Sequence, residues 1–168
     1  MKKLVLVLLT FVPILAGYLL NSVVFKPVLW SWMFYLLPIL VMVFWFFLGS
    51  MFAKTNWHPA VSIFIGSATG ILSLALYLWQ FLLESDETRN MFLAGLSQMY
   101  SLSTPAYLTA RLAMLFESEP KNIGSATFTA MQVISVVLMA AIFTAGYFWG
   151  RARRTKKGSI TSPEPEQA

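Results

Sequence analysis

The residues able to do chemistry are few and lie far apart. His58 is the only histidine, the chain has no cysteine, and every Asp and Glu lies outside the long apolar runs. A zinc site needs spaced ligands such as the two histidines of HExxH, and a serine nucleophile needs an activating base. Neither pattern is present in the sequence. We therefore predict no catalytic residue, no metal site and no cofactor.

The apolar runs also carry no Asp, Glu, Lys, Arg or His at mid-depth. Proton relays, voltage sensors and many coupled transporters place ionisable groups inside the membrane, so their absence disfavours these three classes. Gln80 and Gln132 are the notable polar residues within the runs. A hydrogen bond to a neighbouring helix explains each glutamine better than a transport site does.

One candidate ligand site lies in the segment 84–121. Gln98, Tyr100, Tyr107 and Arg111 could line a site for an anionic or peptide ligand, because an arginine fork recognises carboxylate and phosphate groups. In the alternative interpretation Arg111 is structural and is held by an acidic residue of the same segment or by lipid phosphate. We favour the structural interpretation, since arginines near a membrane surface commonly extend their charged end to it.

The composition shows which solvent the chain needs. Of its 168 residues, 58% are hydrophobic and 11% charged, and the mean hydropathy is +0.69. A soluble domain of this size carries far more charge. The sequence therefore predicts an all-α integral membrane protein whose first partner is the lipid bilayer.

Four runs are long enough to cross the hydrocarbon core, which takes about 20 apolar residues. They cover residues 4–25, 27–53, 59–83 and 122–150, so we expect one four-helix domain over residues 1–150. A fifth run, 90–110, is too polar for a lipid-facing helix. The segment 84–121 is thus predicted to hold an interfacial or re-entrant helical hairpin between the third and fourth transmembrane helices.

The positive charges predict the topology. A cluster follows the last apolar run and consists of Arg151, Arg153, Arg154, Lys156 and Lys157. With four spans this cluster lies on the same side as Lys2, Lys3 and Lys54, and the positive-inside rule makes that side cytoplasmic. We therefore expect both termini in the cytoplasm, a bacterial plasma membrane, no nucleic-acid partner, and a tail over 151–168 that is basic and then disordered.

The pentapeptide IGSAT occurs twice, at residues 65–69 and 123–127. It lacks the lysine and preceding strand of a phosphate-binding loop, and the similarity ends after five residues, which argues against a duplicated domain. Small residues at helical spacing instead predict close helix packing. The candidates are Ser62, Gly66, Gly70 and Ser73 in the third span, with Ala141 and Ala145 as their counterparts in the fourth.

These observations favour a non-catalytic function. We predict a small membrane component that associates with itself or with a membrane-protein partner, as an accessory subunit does. The alternative is an oligomeric transporter or channel for a small solute, with the segment 84–121 acting as a gate.

Overall fold

A computed structural model describes residues 3–24, 33–116 and 124–160, which form helices and no strand. Within these ranges, four helical stretches have the length and hydropathy needed to cross a bilayer: Lys3–Ser22, Tyr35–Phe52, Pro59–Leu83 and Ser125–Lys156. The prediction of an all-helical chain with four such helices is confirmed, and a membrane location follows from it.

The first span is a broken helix rather than the single helix predicted over 4–25. Helix α1 covers Lys3–Leu9 and helix α2 covers Val12–Val24. Pro13 lacks an N–H group and its ring crowds the carbonyl four residues earlier, which explains a break at this place. The hydroxyl of Thr10 donates to the Val7 carbonyl at 2.7 Å, while the Thr10 carbonyl accepts a bond from Thr69.

The next two spans are joined by a short turn. Helix α3 covers Met33–Phe52 and continues through Pro38, and helix α4 covers Pro59–Leu78. His58 caps α4, with its Nδ1 accepting a hydrogen bond from the amide of Ala60 at 3.3 Å. A π-helical turn, Trp79–Leu83, extends α4 to the predicted end of the span.

The segment after α4 forms the predicted two-helix hairpin. Helix α5 covers Met91–Ser103 and helix α6 covers Ala106–Ala113, followed by a 3₁₀ turn over Met114–Phe116. Asn90 caps α5 by accepting hydrogen bonds from the amides of Phe92 and Leu93. Pro105 lies between the helices, where a residue without an amide hydrogen suits the start of α6.

The last helix, α7, covers Ser125–Ile160. It begins after the predicted start at residue 122, which lies outside the described residues. It also runs ten residues past the predicted end at residue 150, through the basic cluster. Arginine and lysine favour helix and are stabilised near its C-terminal dipole, so the cluster prolongs the span instead of ending it. Helix α7 therefore includes residues 158–160 of the tail, and residues 161–168 lie outside the described ranges.

The centre of the bundle is filled by large side chains. Trp45, Phe52, Tyr100, Met139 and Phe143 are each at most 1% exposed. The Phe143 ring contacts Trp45 at 5.9 Å and Phe52 at 5.2 Å between centroids. Helix α7 packs most extensively against α3, and α5 against α2, so the two pairs meet at this aromatic centre.

Candidate functional site

Helix α5 starts at a polar junction beside the end of α4. The buried side chain of Gln80 accepts a hydrogen bond through Oε1 from the amide of Asn90 at 2.8 Å. The backbone carbonyl of Gln80 accepts a second one from Arg89 Nε, also at 2.8 Å. Arg89 also forms an ion pair with Asp86 at 2.8 Å and lies over the ring of Phe81. Gln80 thus forms the kind of hydrogen bond that its sequence position suggested, and it fixes the first turn of α5.

From this junction α5 runs antiparallel to α4. The Ser73 hydroxyl donates to the Ser97 carbonyl at 2.6 Å, and the hydroxyl of Tyr100 lies 2.8 Å from where a Gly70 side chain would begin. Residue numbers therefore rise along α5 as they fall along α4. Because Gly70 is near the middle of Pro59–Leu83, this contact takes α5 to about half the length of that span.

Helix α5 makes the corresponding contacts with α2. The backbone of Met99 occupies the space that a side chain at Gly17 would need, and the Ser103 hydroxyl donates to the Pro13 carbonyl at 2.6 Å. Pro13 lies near the middle of Lys3–Ser22. The end of α5 therefore sits beside the break in the first span, between α2 and α4.

Of the four predicted ligand residues, the structure describes the side chains of Gln98 and Tyr100, which lie in different surroundings. Tyr100 is 1% exposed and belongs to the aromatic centre. Gln98 instead lines a separate cavity. Tyr107 and Arg111 belong to α6, but their side chains lie outside what the structure describes. Much of the polarity of the 90–110 run comes from serine and threonine residues. Their hydroxyl groups donate hydrogen bonds to backbone carbonyls three or four residues earlier in the chain.

The cavity beside Gln98 combines polar and apolar walls between α4, α5, α6 and α7. Its volume is about 90 Å³, room for about three water molecules. The lining residues are Tyr77, Gln98, Ser101, Leu102, Ala106, Phe128, Met131 and Gln132. Four of these side chains carry hydrogen-bonding groups, so a small neutral polar molecule is the ligand class that this cavity suits.

The predicted packing residues of α4 are buried on one face, which receives two different helices. Ser62, Gly66, Gly70 and Ser73 make up this face. Gly66 admits the ring of Phe143 from α7, whereas Gly70 admits the phenol of Tyr100 from α5. The predicted counterparts, Ala141 and Ala145, lie on an exposed face of α7, whereas the α7 atoms nearest to Gly66 belong to Phe143. The side chain at Phe143 provides that contact instead.

A second close backbone contact, besides that of Gly17 with Met99, joins α3 to α7, a pair that the small-residue pattern did not identify. A side chain at Gly49 would overlap the Phe143 carbonyl, and one at Gly146 would overlap the Phe46 carbonyl. Gly150 approaches Ser50, with the carbonyl oxygen 2.7 Å from where a Cβ would lie. In the sequence, the pair Gly146 and Gly150 indicates a close contact of α7. The tertiary structure is needed to identify α3 as the partner helix.

The two ends of the bundle differ in charge. Lys3, Lys54, Arg151 and Arg154 lie at the end where α3 turns into α4. Lys3 lies 5.3 Å from the ring centre of Trp57, and Arg153 lies 3.7 Å from that of Trp149. The acidic residues Glu84, Asp86 and Glu87 follow the opposite end of α4.

The described ranges contain no group of three or more His, Asp or Glu side chains placed to hold a metal ion. Comparisons with protein-family models, curated proteins and solved structures give no match to this chain.

Proposed function

We propose that the protein is a non-catalytic membrane component that associates with another membrane helix along an exposed face of α7. The observation that carries the proposal is a row of alanine and valine side chains, which we name the alanine face. It consists of Ala126, Ala130, Val133, Val137, Ala141 and Ala145. The spacing of three and four residues keeps these side chains on one side of the helix. All but the half-buried Ala130 are exposed.

The other exposed faces differ from this one in side-chain size. Helices α1 and α2 present Leu4, Leu8, Leu15 and Leu19, α3 presents Tyr35 and Phe47, and α4 presents Phe64 and Leu72. Long apolar side chains suit contact with lipid. Small side chains let a second backbone approach, and membrane helices associate through such surfaces because lipid supplies no hydrophobic drive between them. The contrast favours a helix as the neighbour of α7.

Cysteine crosslinking tests the alanine face, because the chain has no cysteine of its own. We expect a single cysteine at Ala141 or Ala145 to form a crosslinked species in native membranes, either with a second copy or with a partner. Phe64→Cys on α4 is the matched control, since Phe64 is 65% exposed but belongs to a bulky face. Equal crosslinking at Phe64 and Ala141 would contradict the proposal.

The proposed topology has both termini in the cytoplasm of a bacterial cell and the acidic end outside. The opposite charges of the two ends support it through the positive-inside rule. Ser85 and Thr155 are exposed at opposite ends of the bundle. In intact cells an impermeant thiol reagent should label Ser85→Cys but not Thr155→Cys, and the reverse labelling would overturn this orientation.

The α5–α6 hairpin is then a re-entrant element that enters the membrane from outside. Its support is the antiparallel course of α5 along α4 and the contact between Ser103 and Pro13 at half the length of the first span. In the re-entrant arrangement the reagent labels a cysteine at the exposed Met91 but not one at Leu108, which is 42% exposed in the protein and near the tip of the hairpin, where lipid would cover it. An interfacial hairpin would instead allow both positions to react.

The polar cavity supports a second candidate function, transport of a small neutral solute by an oligomer. Gln98 and Gln132 line the cavity from different helices, as do Tyr77 and Ser101. Uptake of a solute such as urea or glycerol into proteoliposomes tests this candidate. If the protein is such a transporter, Gln132→Leu should abolish uptake and leave crosslinking at Ala141 unchanged.

A further inference from the structure

The basic end of the bundle contains a cleft with a volume of about 460 Å³. The turn between α3 and α4 forms one wall and the last turns of α7 form the other. The residues lining it are Ala53, Thr55, Asn56, Trp57, Pro59, Tyr147, Arg151, Arg154 and Thr155. This cleft belongs neither to the alanine face nor to the polar cavity.

Arg151 and Arg154 present their charge to this cleft without a neutralising partner in the described residues. They are three residues apart on α7, so they lie on the same side of the helix. The ion pair observed in the described chain joins Arg89 to Asp86 at the opposite end. Arg153, between them in sequence, lies instead over the ring of Trp149. Two guanidinium groups are thus available to one anion.

The opposite wall is held in place by aromatic packing and a capped turn. On that wall the ring of Trp57 lies 6.0 Å from that of Phe52 in the core, while Tyr147, one turn before Arg151 on α7, is 3% exposed. The Thr55 hydroxyl donates to the Phe52 carbonyl at 2.7 Å, which fixes the turn. An anion would therefore enter a site with one preformed wall and two exposed arginine side chains.

We infer that this cleft binds the phosphate group of an anionic phospholipid. Arginine recognises phosphate through parallel N–H donors, and tryptophan and tyrosine are the residues that favour the membrane–water interface. Arg151 and Arg154 bind the phosphate oxygens, while Trp57 and Tyr147 contact the glycerol region beneath. The site requires that the basic end lie at a membrane surface but is independent of a partner on the alanine face.

The test uses the full chain purified in detergent, with phosphatidylglycerol and phosphatidylcholine as probes and native mass spectrometry as the readout. We expect phosphatidylglycerol to bind at least about fivefold more tightly than phosphatidylcholine. Arg151→Gln or Arg154→Gln should weaken it by about fivefold to tenfold, the size of one ordinary hydrogen bond. The matched control is Arg153→Gln, which removes the same charge outside the cleft and should change binding less than about twofold.

Two outcomes would overturn the inference. Equal weakening by all three substitutions would mean that lipids respond to net charge alone, without a site. Displacement of phosphatidylglycerol by an equal concentration of soluble glycerol phosphate would mean that the cleft takes a free phosphate compound and not a lipid. If Arg151→Gln fails to fold, Arg151→Lys serves instead, because it keeps the charge but loses the bidentate geometry; unchanged binding by the lysine variant counts against the site.

Discussion

The contact between α3 and α7 and the contact of α5 with α2 and α4 solve the same problem in different ways. At the α3–α7 contact, Gly49 and Gly146 leave room for the carbonyl groups of the opposite helix. Around α5, Gly17 likewise leaves room for the Met99 backbone, and hydroxyl groups of Ser73 and Ser103 also donate to backbone carbonyls across the interface. Lipid offers no hydrophobic drive for either contact, so close packing holds the first and hydrogen bonds supplement the second.

The difference lies in how each contact tolerates change. A neighbouring backbone is fixed by its own helical hydrogen bonds. It cannot move aside for a new side chain at the α3–α7 contact unless the helices separate. A neighbouring side chain can rotate, and a lost hydroxyl in a membrane interior removes only a modest bond. We therefore expect the largest destabilisation at α3–α7, a smaller one at the glycines of α4, and the smallest at the hydroxyl groups.

Gly146→Ala should destabilise the protein more than the substitutions at side-chain and hydroxyl contacts considered below. The new methyl group would overlap the Phe46 carbonyl, and we expect a loss of about 2–3 kcal/mol in the free energy of unfolding. Thermal unfolding followed by size-exclusion chromatography in detergent measures the loss. Gly95→Ala is the control with the opposite sign: its Cβ meets nothing within 4 Å, so alanine should stabilise α5 by about 0.5–1 kcal/mol. Destabilisation of equal size at both positions would contradict this account.

Gly66→Ala sharpens the comparison because its neighbour is a side chain. The methyl group meets the ring of Phe143, and we expect a loss of about 1–2 kcal/mol as the ring shifts within the core. A smaller residue at position 143 should absorb the methyl group. Phe143→Leu combined with Gly66→Ala should therefore be more stable than the two separate losses predict, by about 1 kcal/mol in a double-mutant cycle.

The matching cycle at the α3–α7 contact should show no such rescue. Phe46→Leu changes the ring but leaves the Phe46 carbonyl in place, and it is the carbonyl that a side chain at Gly146 would overlap. The losses from Gly146→Ala and Phe46→Leu should add to within about 0.5 kcal/mol. A favourable coupling here, as large as that between Gly66 and Phe143, would mean that both contacts adapt through side chains.

The four spans could be predicted from the sequence because uncharged runs of sufficient length have one physical explanation. The break in the first span could not. Pro13 and Pro38 both occur inside apolar runs, yet α3 continues through Pro38 while the first helix breaks ahead of Pro13. The difference depends on tertiary contacts, because Thr69 and Ser103 donate hydrogen bonds to backbone carbonyls at the break. These donors are distant in the sequence, so no local pattern predicts them.

Helix faces could likewise be recognised, but not their partners. The spacing of Gly66 and Gly70 identified a buried face of α4, yet it gave no sign that one glycine meets α7 and the other α5. Ala141 and Ala145 have the same small size and spacing but are exposed. Small residues fit a partner helix in the same chain and one in another chain equally well, so their composition alone does not distinguish the two cases.

Thr69→Val should give the smallest loss. It replaces the hydroxyl that donates to the Thr10 carbonyl at 3.0 Å with a methyl group of similar size, so packing is kept and one hydrogen bond is removed. Such bonds between membrane helices contribute about 0.6 kcal/mol on average, because polar groups also find partners when the helices separate. Thr69→Ser keeps the hydroxyl and is the matched control. A loss from Thr69→Val greater than that from Gly66→Ala, with Thr69→Ser unaffected, would reverse the order. The hydrogen bond at the break in the first span would then stabilise the bundle more than the glycine contacts do.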